Sequence, residues 1–193
     1  MTRPLRRSRS YGAACLVAYA ITVSVTTAHA QPAPPAGEFP APPASGWTYD
    51  ATGSLDAVTR QQIAELTDST WRASHVRLGV ALVPDTGAHP IETYSLGLFR
   101  AWRMGEDTEG RAALLVIAVQ ARKNRVEIGT GLHDRLTDDD AQRVLTEVFR
   151  PTARASGPGL ASLRTLEALR ARIECTGAAP SGDDEGISIF GYL

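Results

Sequence analysis

The sequence predicts an α/β domain: a small mixed sheet, made of one parallel βαβ unit and a β-hairpin, with about four helices packed on it. Three observations carry this. Two short, apolar, β-branched runs, residues 76–83 and 112–119, read as strands buried on both faces. Between them Ile91, Tyr94, Leu98 and Trp102 recur at helical spacing, so strand, helix and strand form a crossover unit, expected to be parallel and right-handed. Residues 120–124 then leave room only for an antiparallel hairpin, whose second arm, residues 125–129, alternates as a strand with one wet face.

The remaining elements follow in chain order. Arg3, Arg6, Arg7 and Arg9 precede an uncharged apolar run from Ala13 to about Ala28, and Ala28-His29-Ala30 stands before Gln31. That pattern reads as a signal peptide over residues 1–30, removed after Ala30, which directs the mature chain to a secreted or periplasmic location. The run falls short of the ~20 residues a spanning helix needs, and no later run approaches that length, so no stable membrane insertion is expected after cleavage. Residues 31–47 are a Pro-rich linker, residues 48–175 the domain, and residues 176–193 a flexible tail.

Within the domain, Leu55, Val58, Ile63 and Leu66 fall on one helical arc with Asp56 as its N-cap. Pro90 suits the first turn of the helix carrying Ile91. A third helix opens at Thr137, places Ala141, Val144, Leu145, Val148 and Phe149 on one stripe, and ends near Pro151. The last begins about Pro158 and carries Leu160, Leu163, Leu166, Leu169 and Ile173.

Composition narrows function. Loss of the four N-terminal arginines leaves 16 basic against 21 acidic residues, a mature charge near −5, which gives no electrostatic reason to bind nucleic acid or anionic lipid. Cys175 is the one cysteine of the mature chain, so an internal disulfide is excluded. G-x-S-x-G, H-E-x-x-H, C-x-x-C and a phosphate loop are all missing, and no catalytic residue is assigned. His75, His89 and His133 stand alone and read as structural or surface residues.

Gly129-Thr130-Gly131-Leu132-His133-Asp134 invites a dinucleotide reading, but Asp134 replaces the third glycine and the strand is a hairpin arm. Asp138, Asp139 and Asp140 also cancel the positive helix end that would hold phosphate, so no nucleotide is expected. The glycines are expected to let the backbone turn sharply. Acids gather at Asp50, over residues 106–110 and at Asp138 to Asp140. Such oxygens suit a hard divalent cation; on composition alone, helix capping and solvated loops explain them better.

Tyr49-Asp50-x-x-Gly53-x-Leu55, then Ser95-x-x-Leu98-Phe99-x-x-Trp102-x-x-Gly105, then an acidic loop ending at Gly110 before Ala113-Leu114-Leu115-Val116, stand in order. Arg122-Lys123-Asn124-Arg125-Val126-Glu127-Ile128-Gly129-x-Gly131-Leu132 and Leu136-Thr137-Asp138 follow. In this order the residues resemble the TPM domain of bacterial exported proteins, plant thylakoid lumen proteins and nematode receptor modulators, over about residues 49–175. The resemblance implies a Rossmann-like α/β/α sandwich and the binding of calcium or another divalent metal. It also implies the acid phosphatase activity of some members, or the assembly, repair or modulation of membrane complexes served by others. By position Asp50, Glu109 and Asp138 match the family's acidic sites, and with Asp107 and His133 they make the candidate metal set. Two departures stand out: His133 replaces the usual Glu after Gly-x-Gly-Leu, and Glu109 replaces the usual Asn before Gly110. An imidazole is a poor calcium ligand, so such a site prefers zinc or another transition ion, or has been lost.

Two functions follow as expectations. One is an accessory or interaction module of the cell envelope with a protein partner there. The other is a metal-assisted phosphatase acting on phosphomonoesters, in which Asp50, Glu109 and Asp138 hold the ion and a bound water attacks phosphorus. The missing nucleophile–base pair favours the module. The metal site requires Asp50, residues 106–110 and Asp138 to meet at a single rim of the sandwich.

Overall fold

The computed structural model describes residues 39–44 and 46–177; the expected signal peptide, the first part of the Pro-rich stretch and the tail beyond Gly177 lie outside the described residues. Four strands, β1 (Thr48–Asp50), β2 (Arg77–Val83), β3 (Ala112–Ala118) and β4 (Lys123–Ile128), form one sheet in that order. The first two pairings are parallel and the third antiparallel. The helices are α1 (Ala57–Ser74), α2 (Ile91–Ala101), α3 (Asp138–Val144) and α4 (Arg150–Gly177). β1 was not expected: three residues are too few to show a period of two, and it exists because β2 offers it an edge.

Strand alternation sorts the core into two faces. Leu78, Val80 and Leu82 of β2 join Leu115, Ile117 and Val126 in a cluster closed by α1, α3 and α4. Ala81 and Val83 join Leu114 and Val116 in a second cluster under α2, with Phe39, Trp47 and Tyr49 packed against it. The result is a three-layer α/β/α sandwich.

The two crossovers do not share a hand. Both step the same way across the sheet, β1 to β2 and β2 to β3, yet α1 covers one face and α2 the other. A right-handed connection fixes the face its helix takes for a given direction of step. One of the two therefore departs from the right-handed rule. On the α1 face α3 and α4 cover β3 and β4, and α2 roofs the same strands from the opposite side.

Helix α1 corrects a second expectation. Asp56 caps it as predicted, its Oδ1 accepting the Thr59 N–H at 2.7 Å. Val58, however, is 68% exposed, and the buried face is Thr59, Ile63, Thr67 and Thr70. Threonine can be buried there because its hydroxyl bonds the helix's own backbone: Thr67 donates to the Ala64 carbonyl at 2.9 Å and Thr70 to the Leu66 carbonyl at 2.7 Å. A reading based on hydrophobic spacing assigns those positions to solvent.

The third helix does not end near Pro151. A widened turn over Leu145–Phe149, in which the Arg150 N–H bonds the Leu145 carbonyl, carries α3 straight into α4. Proline lacks an N–H and crowds the carbonyl four residues before it; the widened turn displaces that carbonyl row and admits Pro151. The true break is Gly157, at φ 84° and ψ 170°, after which Pro158 opens the final stretch. Leu166, Leu169 and Ile173 of that stretch are fully buried. At ~1.5–3 kcal/mol each, their burial rivals the ~5–15 kcal/mol net stability of a domain, so α4 is integral to the fold. Among the described residues no helix is long and apolar enough to cross a membrane.

Candidate functional site

Asp50 closes β1 at the carboxyl end of the parallel strands, and its carboxylate is spent on its own loop. Oδ1 accepts from the Thr52 N–H at 2.9 Å, the Thr52 hydroxyl at 2.8 Å and the Ser54 N–H at 3.3 Å. Oδ2 accepts from the Leu55 N–H at 2.9 Å, and Arg60 Nη2 stands 3.4 Å from it, with the Asp50 side chain 0% exposed. Burial pushes this carboxyl up, but the donors at Leu55, Thr52 and Ser54 outweigh it and hold the group below the ordinary carboxylate value. The loop after β1 is thus folded around an ionised, fully coordinated aspartate.

The acidic bend lies at the other end of the sheet. Asp50 pairs across to Leu82, whereas the bend leads into Ala112, the partner of Arg77. Five residue steps along β2 separate these positions, ~16 Å at ~3.3 Å per residue. Ligands of one cation lie ~2.3–2.6 Å from it, so Asp50 and the bend cannot share an ion.

Within the bend every acid faces an arginine. Arg77 Nη1 lies 2.6 Å from Asp107 Oδ1, Arg103 Nε 2.7 Å from Glu106 Oε2, and Arg111 Nη2 3.6 Å from Glu109 Oε2. The Arg77 guanidinium also sits 4.6 Å from the Trp47 ring centroid and 5.0 Å from that of Trp71. The carboxylate of Glu109 is turned to solvent, 86% exposed.

Three glycines lock this bend to the end of β4. A Cβ on Gly129 would overlap the Gly110 carbonyl oxygen, and one on Gly131 the Glu109 carbonyl oxygen. A Cβ on Gly110, at φ 79°, would stand 2.7 Å from the Gly131 nitrogen. Close backbone approach, rather than the sharp turn expected, explains the Gly-x-Gly spacing: Gly129 has an ordinary extended φ of −72°. His133 follows, exposed, with Nε2 3.4 Å from the Ile128 carbonyl.

Asp138 stands apart from both groups. Thr137 and Asp140 form a capping box, with the Asp140 N–H 3.1 Å from Thr137 Oγ1 and the Thr137 N–H 3.3 Å from Asp140 Oδ2. The Thr137 hydroxyl bond, against burial and with help from Arg172, holds the Asp140 carboxyl below its ordinary value. Asp138 and Asp139 are left exposed beside a cavity of about 180 Å³ lined by Arg125, Val126 and Leu145. Of the five candidate ligands, Asp107, Glu109 and His133 share one end of the sheet, Asp50 occupies the other, and Asp138 lies beside β4. Among the described residues no three His, Cys, Asp or Glu side chains gather as a metal site. The family's implied ion does not fit this set as a single centre.

The arginines are what sequence reasoning overlooked. Arg77 interrupts an otherwise apolar buried strand, and two of the three tryptophans flank it in space. A charge in such a run signals a committed partner. Ser95, fully buried on α2, is a further case: its hydroxyl donates to Glu127 Oε2 at 3.0 Å, and Arg125 Nε reaches the same oxygen at 3.2 Å.

A family model described as the TPM domain matches residues 48–172. Among solved structures, the fold is similar to the N-terminal domain of a P. gingivalis protein, at 24% identity and TM-score 0.63, over 68% of this chain and 84% of that one. It is similar to the N-terminal domain of the cg2496 protein of Corynebacterium glutamicum, at 14% identity and TM-score 0.54, over 75% and 93%. It is also similar to the BA42 protein of the psychrophilic bacterium Bizionia argentinensis, at 12% identity and TM-score 0.57, over 66% and 86%. These likenesses show the fold. No curated protein matches the chain.

Proposed function

The chain belongs to the TPM-domain family, and from that premise we propose that it acts as an exported accessory module binding a protein partner of the cell envelope, not as a metal-assisted phosphatase. One observation carries this reading: each acid of the 106–110 bend is paired with an arginine. A dication placed there would meet guanidinium groups at ~6 Å, a repulsion of roughly 5 kcal/mol each at an effective dielectric of ~20. The same pairing leaves the bend close to neutral, suited to contact rather than to polarising a phosphoryl oxygen.

The phosphatase reading asks for Asp50, Glu109 and Asp138 on one ion; against it stands the register that puts Asp50 beside Leu82 and the end of the Glu109 bend beside Arg77, five residue steps away. Envelope extract passed over the immobilised protein tests the proposal, with phosphomonoester turnover assayed in parallel. A partner retained in stoichiometric amount, with no turnover, supports the module. Turnover abolished by chelator and by Asp138→Ala would replace it with the enzyme.

A further inference from the structure

β4 is an outer strand of the sheet, and one of its edges meets no other strand among the described residues. The Gly129 N–H bonds the Ala112 carbonyl, so along the antiparallel ladder Glu127, Arg125 and Lys123 turn their backbone groups toward β3. Asn124 and Val126 turn theirs outward, where the N–H and C=O groups have no hydrogen-bond partner among the described residues. Beyond them the edge is closed, because His133 Nε2 stands 3.4 Å from the Ile128 carbonyl. Val126 is only 3% exposed, so its two outward groups are withdrawn from bulk solvent and unpaired, a cost that a ladder hydrogen bond removes.

The cavity of about 180 Å³ lies against this edge. Its wall includes both Arg125 and Val126, neighbours whose side chains point to opposite faces of the sheet, so the strand edge itself forms that wall. Across from it α3 presents Asp138, Asp139 and Gln142, all exposed. Arg125 does not neutralise the two acids. Its Nε is held 3.2 Å from Glu127 Oε2, the oxygen that also accepts the Ser95 hydroxyl, which places the guanidinium on the α2 face. The other arginines nearby are spent as well, Arg143 and Arg172 on Asp140 and Arg135 on Asp134. Asp138 and Asp139 keep no ion pair among the described residues.

One wall of unpaired strand backbone and one of unopposed carboxylates select an extended peptide carrying a basic residue. We propose that a protein partner lays an extended, basic segment along the free edge of β4, its backbone on Asn124 and Val126 and a lysine or arginine at Asp138 and Asp139. This rests on the reading of the chain as a partner-binding module and names the surface that module uses. A second copy of the chain is a poorer occupant. Pairing β4 with β4 about Val126 brings Asp138 and Asp139 of both copies to the same seam, where like charges repel.

Amide hydrogen exchange in the full-length protein tests this, with a capped synthetic peptide of alternating lysine and threonine as the probe at millimolar concentration. Exchange at Asn124 and Val126 is expected to slow at least fivefold, and a peptide of alternating glutamate and threonine to leave it unchanged. Asp138→Asn with Asp139→Asn, both at exposed positions, is expected to weaken binding of the lysine peptide at least fivefold. Asn124→Pro removes one outward donor and is expected to abolish the slowing at Val126. No slowing at either amide, or equal slowing with the glutamate peptide, overturns the proposal. Slowing that grows with protein concentration in the absence of peptide also overturns it and assigns the edge to a second copy. An envelope protein retained equally by the unaltered chain and by the doubly substituted one overturns the proposal while the module reading stands. The slowing without any retained envelope protein supports the peptide groove and counts against the module reading instead.

Discussion

Arg77 and Asp107, thirty residues apart in sequence, meet at 2.6 Å with the guanidinium lying between the indoles of Trp47 and Trp71. The contact ties the start of β2 to the acidic bend, to the approach to β1 and to the last turn of α1. The Arg77 side chain is 14% exposed against 61% for Asp107, so the two partners are not equivalent.

Arg77→Ala is therefore expected to cost more than Asp107→Ala. The arginine loses two cation–π contacts and its packing as well as the ion pair, about 2 kcal/mol together, whereas the aspartate loses an exposed pair worth under ~1 kcal/mol. Urea unfolding of both variants measures the difference; equal losses would mean the stacking contributes nothing.

Gly131→Ala forces a methyl group into the Glu109 carbonyl oxygen, which cannot retreat without moving Gly110. A loss of about 3 kcal/mol is expected, from backbone displacement rather than lost burial. Gly53→Ala, where a Cβ meets nothing within 4 Å, pays only for its φ of 67° and should cost less. Thermal melts of the pair separate collision from backbone strain.

The Asp50 carboxyl titrates lower in the folded chain than its ordinary 3.8. The unfolded chain therefore binds the proton more readily, and the stabilisation is present above about pH 5 and lost as pH falls through the folded value. Unfolding midpoints at pH 7, 5, 4 and 3 are expected to fall most over the last interval. Asp50→Asn should flatten that fall and cost about 2 kcal/mol at pH 7, where charge-assisted bonds are replaced by weaker ones.

At the start of α3, Thr137→Ala removes the capping box and should cost about 1 kcal/mol, while Asp138→Ala, exposed and outside the box, should leave the melting temperature within error. Calcium is expected to leave both temperatures unchanged. A calcium-dependent rise lost in Asp138→Ala would restore a metal role to that residue.

Much of the sandwich was legible because its signals are local. Residues 76–83 and 112–119 had no alternative but buried strands, and Ile91, Tyr94, Leu98 and Trp102 could hide only on one helix face. What stayed hidden depends on pairing across the chain. β1 is defined by its neighbour, the threonine face of α1 by hydroxyls turned onto the backbone, and Gly129 and Gly131 by carbonyls about twenty residues upstream. The placement of the candidate ligands was hidden for the same reason: Asp50 and Asp107 look alike as acids in loops, and only the register tells which end of the sheet each one reaches.

The opposed crossovers also set an order of assembly. Strands β1 to β4 and α2 can complete one side of the sheet using residues up to 128, but the side bearing Ile63 is sealed by residues 138–177. A nascent chain thus emerges with one half of its interior bare until its final helices are made. Until α4 is made, that apolar surface stays open to whatever meets the chain first.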